Sequence, residues 1–138
     1  MEVFTQLLIA IMAVGITTAS HYSFLNRLKK WMNKTRLPPV LTLLGVVYGI
    51  TLSQLIAALW FAISIEISIY LGLGAFKGEV FVTFIETFYF SLINLTTLGM
   101  APVEPTGHLY LLAGLEAMTG FLLVSCSASL IFKTMNKQ

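Results

Sequence analysis

At 138 residues the chain has the length of one domain; 57% of it is apolar, 10% is charged and its mean hydropathy is +0.88. Soluble domains carry about 25% charged residues, so these figures exclude a soluble globular protein and point to an all-α integral membrane protein. The single cysteine, Cys126, excludes an internal disulfide and a CxxC redox pair, and His21 and His108 fit no metal-ligand spacing.

Val3 to Ser20 is an apolar run of about 18 residues, roughly 27 Å as a helix, just enough to span a bilayer. A cleaved signal peptide would need a basic segment ahead of it, and only Glu2 precedes the run. A retained transmembrane helix over 1–20 is therefore expected. His21 to Arg36 carries Arg27, Lys29, Lys30, Lys34 and Arg36 without an acid, while Phe24, Leu25, Leu28, Trp31 and Met32 recur at helical spacing. This predicts a basic amphipathic linker over 21–37, lying in the membrane interface with Trp31 at headgroup depth and attracting anionic lipid. A plain solvated loop is the alternative. Nucleic-acid binding would rest on this run alone, which orientation and lipid explain better.

Pro38-Pro39 stops that element and opens the next. A pore domain is expected over 38–138. Val40 to about Leu73 reads as a long apolar outer helix containing Gln54 and Glu66, and Gly72, Gly74, Lys77 and Gly78 form a turn region. A short apolar helix follows over 80–95, then a polar loop from Pro102 to Gly107 and a last spanning helix over 108–132. Five basic residues lie in 21–36 and two in the tail, leaving Lys77 alone on the other side. The positive-inside rule then puts the linker and the C-terminal end in the cytoplasm and the N-terminus and pore loop outside the cell membrane.

The short helix gives the chain its meaning. From Phe88 to Leu95 it is apolar and too short to cross a bilayer. It then runs into Thr96-Thr97-Leu98-Gly99-Met100-Ala101-Pro102, where a helix cannot comfortably continue. Irregular backbone at membrane depth survives only against protein or around a wet cavity, and aligned carbonyls facing water make a cation site.

Ser91-Leu92-Ile93-Asn94-Leu95-Thr96-Thr97-Leu98-Gly99 resembles the pore helix and filter entrance of potassium-channel-like pore-loop proteins. Leu115-Glu116-Ala117-Met118-Thr119-Gly120 is similar to the inner helix of their small two-transmembrane members, so the likeness covers roughly residues 40 to 133. It implies a homotetramer with an ion-binding filter over 96–100. Thr97, Leu98 and Gly99 would offer oxygens to a monovalent cation, Thr96 would pack behind them, and Met100 would stand at the outer end. It implies also that Glu116 and Ser91 support the filter from behind and that Gly120 is a hinge. A protonated packing role for Glu116 and simple helix packing for Gly120 are the alternatives. Glu104 is a candidate charge ring at the pore mouth or, equally, a solvated loop residue.

Met100-Ala101-Pro102 stands where potassium-selective members have Tyr-Gly-Asp. Met100 offers no phenolic hydroxyl, Ala101 has a Cβ, and Pro102 lacks an N–H. Gly-x-small-Pro is similar instead to the filter of cyclic-nucleotide-gated channels. The expectation is a cation channel passing potassium and also sodium with weak selectivity, with permeant ions and no cofactor. The alternative is a non-conducting or regulatory subunit that keeps the pore fold. No Ser/His/Asp, Cys/His or phosphate-binding constellation suggests an enzyme.

Overall fold

The structure is a computed structural model and describes residues 1–78, 82–99 and 103–136. Over these the chain folds into α1 (Glu2–Lys34), α2 (Pro39–Tyr70), α3 (Phe84–Leu95) and α4 (Leu109–Met135). An isolated bridge between Phe76 and Pro105 is the only β-type pairing among the described residues. Helices α1, α2 and α4 are each long and apolar enough to cross a membrane, whereas α3, with 12 residues, is not. The protein is an all-helical membrane-embedded chain.

Helix α1 differs from expectation. No glycine or proline occurs between Gly15 and Pro38, so nothing in the backbone ends the helix where its side chains turn basic. It continues for 33 residues, about 50 Å, against a hydrocarbon core of about 30 Å. The separate interfacial helix expected over 21–37 is thereby corrected: 21–34 is the second half of α1. Its apolar side chains are also placed differently. Leu28 and Met32 pack with Leu25, Val46, Ile50 and Leu130. On α2, Gly45 and Gly49 make room for this face: a Cβ on Gly45 would lie 2.5 Å from the Trp31 ring, and one on Gly49 would lie 2.9 Å from a Leu28 methyl. Leu25, Leu28 and Met32 thus pack on other helices, while Trp31 lies over Gly45 and stays exposed.

The face that α1 buries consists of Gln6, Ala10, Ala13, Thr17, His21 and Leu25, while Phe4, Leu8, Ile11 and Met12 are exposed. Small and polar side chains go inward, and large apolar ones go outward. Lipid solvates a large apolar side chain as well as protein does, so close contact between spanning helices falls to residues that let backbones approach. Ala10 and Ala13 share a cluster with Ala57 and Ala58 of α2.

Thr35 leaves α1 in an extended conformation, and Pro39 opens α2, as the Pro-Pro pair predicts. Helix α2 stops at Tyr70, three residues before the expected Leu73, and α4 runs on to Met135 rather than 132. The end of α2 is a Schellman motif: Gly72 takes φ 71°, its N–H donates to Ile69 O at 2.9 Å, and Leu73 N–H donates to Ser68 O at 3.0 Å.

Beyond it, residues 73–77 lie antiparallel to residues 104–108. Lys77 N–H donates to Glu104 O and Thr106 N–H to Ala75 O, each at 2.8 Å, and His108 N–H donates to Leu73 O at 3.0 Å. Gly74 permits this approach, since a Cβ there would overlap the Thr106 carbonyl oxygen. The ribbon ties the segment entering α3 to the segment leaving it, so the excursion from 78 to 103 starts and finishes at one place between α2 and α4.

Candidate functional site at the end of the short helix

Helix α3 begins later than expected. Residues 82 and 83 are not helical, and residues 80 and 81 lie outside the described residues. The start at Phe84 is set by a capping box. Glu86 N–H donates to Thr83 Oγ1 at 3.4 Å, while Thr83 N–H and hydroxyl donate to the Glu86 carboxylate at 2.7 and 2.8 Å. The backbone N–H foremost, and the hydroxyl after it, hold the Glu86 carboxyl below the usual carboxylate range. Thr83-x-x-Glu86 was a legible signal, and the hydropathy-based boundary passed over it. Thr83→Ala is expected to destabilise the fold by about 1 kcal/mol, seen as a lower melting temperature in detergent. The part contributed by ionised Glu86 is present at neutral pH and is lost as pH falls through its lowered pKa.

Four side chains or backbone positions, at Thr87, Phe90, Asn94 and Leu95, then fix α3. Thr87 Oγ1 donates to Glu66 Oε1 of α2 at 2.6 Å. Phe90 packs edge-on against Phe76 with ring centres 5.1 Å apart. Asn94 Nδ2 donates both to Ala113 O at 2.7 Å and to Glu116 Oε2 at 2.9 Å, tying the last turn of α3 to α4. Leu95, the final residue of α3, rests on Gly120, where a Cβ would overlap the Leu95 carbonyl oxygen. Glu116 and Ser91 are both fully buried behind this end; Glu116 Oε1 and Ser91 Oγ have no hydrogen-bond partner among the described residues.

What emerges from that anchorage is an exposed stretch of irregular backbone. Thr96 caps α3, and its hydroxyl donates to Ile93 O at 2.9 Å. Thr97 N–H donates to Asn94 O at 2.9 Å and Leu98 N–H to Ile93 O at 3.2 Å, the same Schellman pattern that ends α2. The residue at its left-handed position is the difference. Helix α2 uses Gly72; α3 uses Thr97, at φ 59°. A β-branched residue with positive φ is a genuine outlier and costs on the order of 1–3 kcal/mol. Leu98 returns to negative φ and Gly99 takes φ 69°. Thr96 to Gly99 are all exposed, and among the described residues no donor reaches their carbonyl oxygens.

Thr96, Thr97, Leu98, Gly99, Ser91, Glu116 and Gly120 thus gather at the α3–α4 junction. Met100, with Ala101 and Pro102, lies outside the described residues. Glu104 sits apart on the ribbon, exposed and ion-paired with Lys77 at 3.1 Å; a pair so open to solvent adds at most about 1 kcal/mol. Asn94 is the residue that sequence reading missed. An amide in an otherwise apolar membrane helix is a signal for interhelical hydrogen bonding, and here it meets Glu116.

Fold and site together define a class: a membrane-embedded protein whose described residues form three helices long and apolar enough to span and one short helix, anchored at its end and followed by strained, exposed backbone. No protein-family model, curated protein or solved structure matches the chain.

Proposed function

We propose that the chain is the subunit of a homotetrameric cation channel. Four copies bring residues 96–99 around a common axis, and monovalent cations, potassium and sodium alike, pass down their gradients there with weak selectivity. A cation sheds its hydration shell only where oxygens replace it, and one chain supplies one wall of such a cage. The observation that carries this reading is Thr97 at φ 59° in the position where α2 uses glycine. Strained backbone of this kind clusters at functional sites. Positive φ at 97 and 99 flanks negative φ at 98, a backbone that is neither helix nor strand, and its exposed edge carries carbonyl oxygens that no donor reaches among the described residues. Thr97 would add its hydroxyl to that edge.

In this reading Glu116 supports the filter through Asn94, Ser91 packs buried behind that end of α3, and α3 is the pore helix. The ribbon faces outward, and the basic end of α1 lies in the cytoplasm beside anionic lipid. Glu104, neutralised by Lys77, makes a weaker ring of charge than an unpaired carboxylate.

Purified protein in planar bilayers under a potassium/sodium gradient tests the proposal. Cation current reversing well away from the potassium Nernst value is expected; reversal at that value overturns weak selectivity. Absence of current overturns the channel and leaves a non-conducting subunit. Thr97→Gly separates fold from function. It is expected to raise stability by about 1 kcal/mol, since glycine adopts positive φ without strain, while reducing or abolishing cation flux.

A further inference from the structure

Helix α1 is joined to α4 by a buried histidine for which ion conduction supplies no role. His21 is 3% exposed and stands where three helices meet. Ser53 Oγ of α2 lies 2.7 Å from Nδ1, and Ser127 Oγ of α4 lies 3.1 Å from Nε2. The Ser127 hydroxyl is placed to donate to Leu123 O at 2.8 Å, and the Leu123 carbonyl also accepts from the ring; both contacts are satisfied together when Nε2 carries the proton and Ser127 Oγ accepts. Nδ1 is then the acceptor, and Ser53 O–H donates to it.

Neutral imidazole satisfies both serines at once. Imidazolium could still donate to both serine oxygens once the Ser53 hydroxyl turns away, but its positive charge would stand in the bundle without an anion, and that cost favours separating the three helices so that water reaches the ring. The one carboxylate of α2, Glu66, accepts from Thr87, and the one of α4, Glu116, accepts from Asn94. On α1 the nearest charged side chain in sequence is Arg27, itself a cation. Between α1 and this half of α4, Thr134 Oγ1 also lies 3.2 Å from Met32 Sδ, its hydroxyl being placed to donate to Leu130 O at 2.8 Å, and neither group titrates near neutral pH.

We propose that Ser53–His21–Ser127 is a proton-released latch: neutral His21 ties α4 beyond Gly120 to α1 and α2, and protonation frees it. The latch stands on the geometry alone. That its release raises ion flow rests on the channel reading above, in which α4 is the inner helix.

The test uses the full chain in lipid bilayers with ¹⁵N-labelled histidine and His108→Asn, so that His21 is the only imidazole. Expected are the Nε2–H tautomer at about pH 7.5, conversion to imidazolium as the pH is lowered through the acid range, and a shift of the Ser127 side-chain signals along the same titration. Liposome flux should change at least tenfold over that interval. In His21→Gln, whose amide retains one donor and one acceptor so that the junction still packs, flux should become independent of pH. A ring that stays neutral through this range, an Nδ1–H tautomer, or an unchanged pH profile in His21→Gln overturns the latch. Titration with the Ser127 shift but no flux at any pH upholds the latch and removes the channel reading instead.

Discussion

Gly120→Ala is expected to cost about 3 kcal/mol or more and to abolish any cation flux, although it adds one methyl group. The new Cβ would overlap the Leu95 carbonyl oxygen and lie 2.7 and 2.9 Å from the Leu95 carbonyl carbon and Cα. These are backbone atoms at the end of α3, and no side chain can swing aside to admit the methyl. Overpacking a fitted contact costs about 1–3 kcal/mol when side chains can adjust, so a contact between two backbones should stand at or above that range. Leu95 is two residues before Thr97, so the displacement falls on the exposed backbone of 96–99 itself. Gly114→Ala on the same helix is the control. Nothing lies within 4 Å of its Cβ position, and alanine's higher helix propensity favours it by up to about 1 kcal/mol. Melting in detergent compares the two. A hinge role for Gly120, with no steric demand, would instead leave the variant as stable as the parent and alter only its opening.

The second large effect is at Glu116, where Glu116→Ala is expected to lose about 2–4 kcal/mol and Glu116→Gln to stay near the parent. Glu116 is completely buried, so alanine leaves a cavity and also deprives Asn94 Nδ2 of one acceptor. Glutamine keeps the volume and an oxygen that Asn94 can reach. Its stability therefore separates what the shape and the hydrogen bond contribute from what a charge would. Because Asn94 and Glu116 act as a pair, Asn94→Leu combined with Glu116→Leu should cost less than the sum of the two single changes, since each single change strands a buried polar partner. Additive losses in that cycle would show that Asn94 is not what Glu116 serves.

Much of the architecture was legible before any coordinates. Three apolar runs of spanning length, the break at Pro38-Pro39 and a short helix running into Thr96-Thr97-Leu98-Gly99 are local properties, each carried by neighbouring residues. The continuity of α1 was equally local and was obscured by composition. A change from apolar to basic side chains at His21 looks like a boundary, yet a helix ends where its backbone is interrupted, and no glycine or proline stands before Pro38.

Partnerships were not legible. Asn94 meets Glu116, Gly120 admits Leu95, and His21 joins Ser53 to Ser127 across 32 and 106 residues of sequence. Each depends on how a helix is rotated about its axis. In a soluble bundle the apolar stripe declares that rotation. A helix in lipid is apolar all round, and the face it buries is marked only by scattered small and polar residues. The sequence alone therefore determined that the chain is helical, embedded in a membrane and interrupted by one short helix. Which residues face one another was decided by tertiary packing, as was the placing of a threonine where glycine would sit without strain, because only contacts between helices set their rotation and carry the cost of strained backbone.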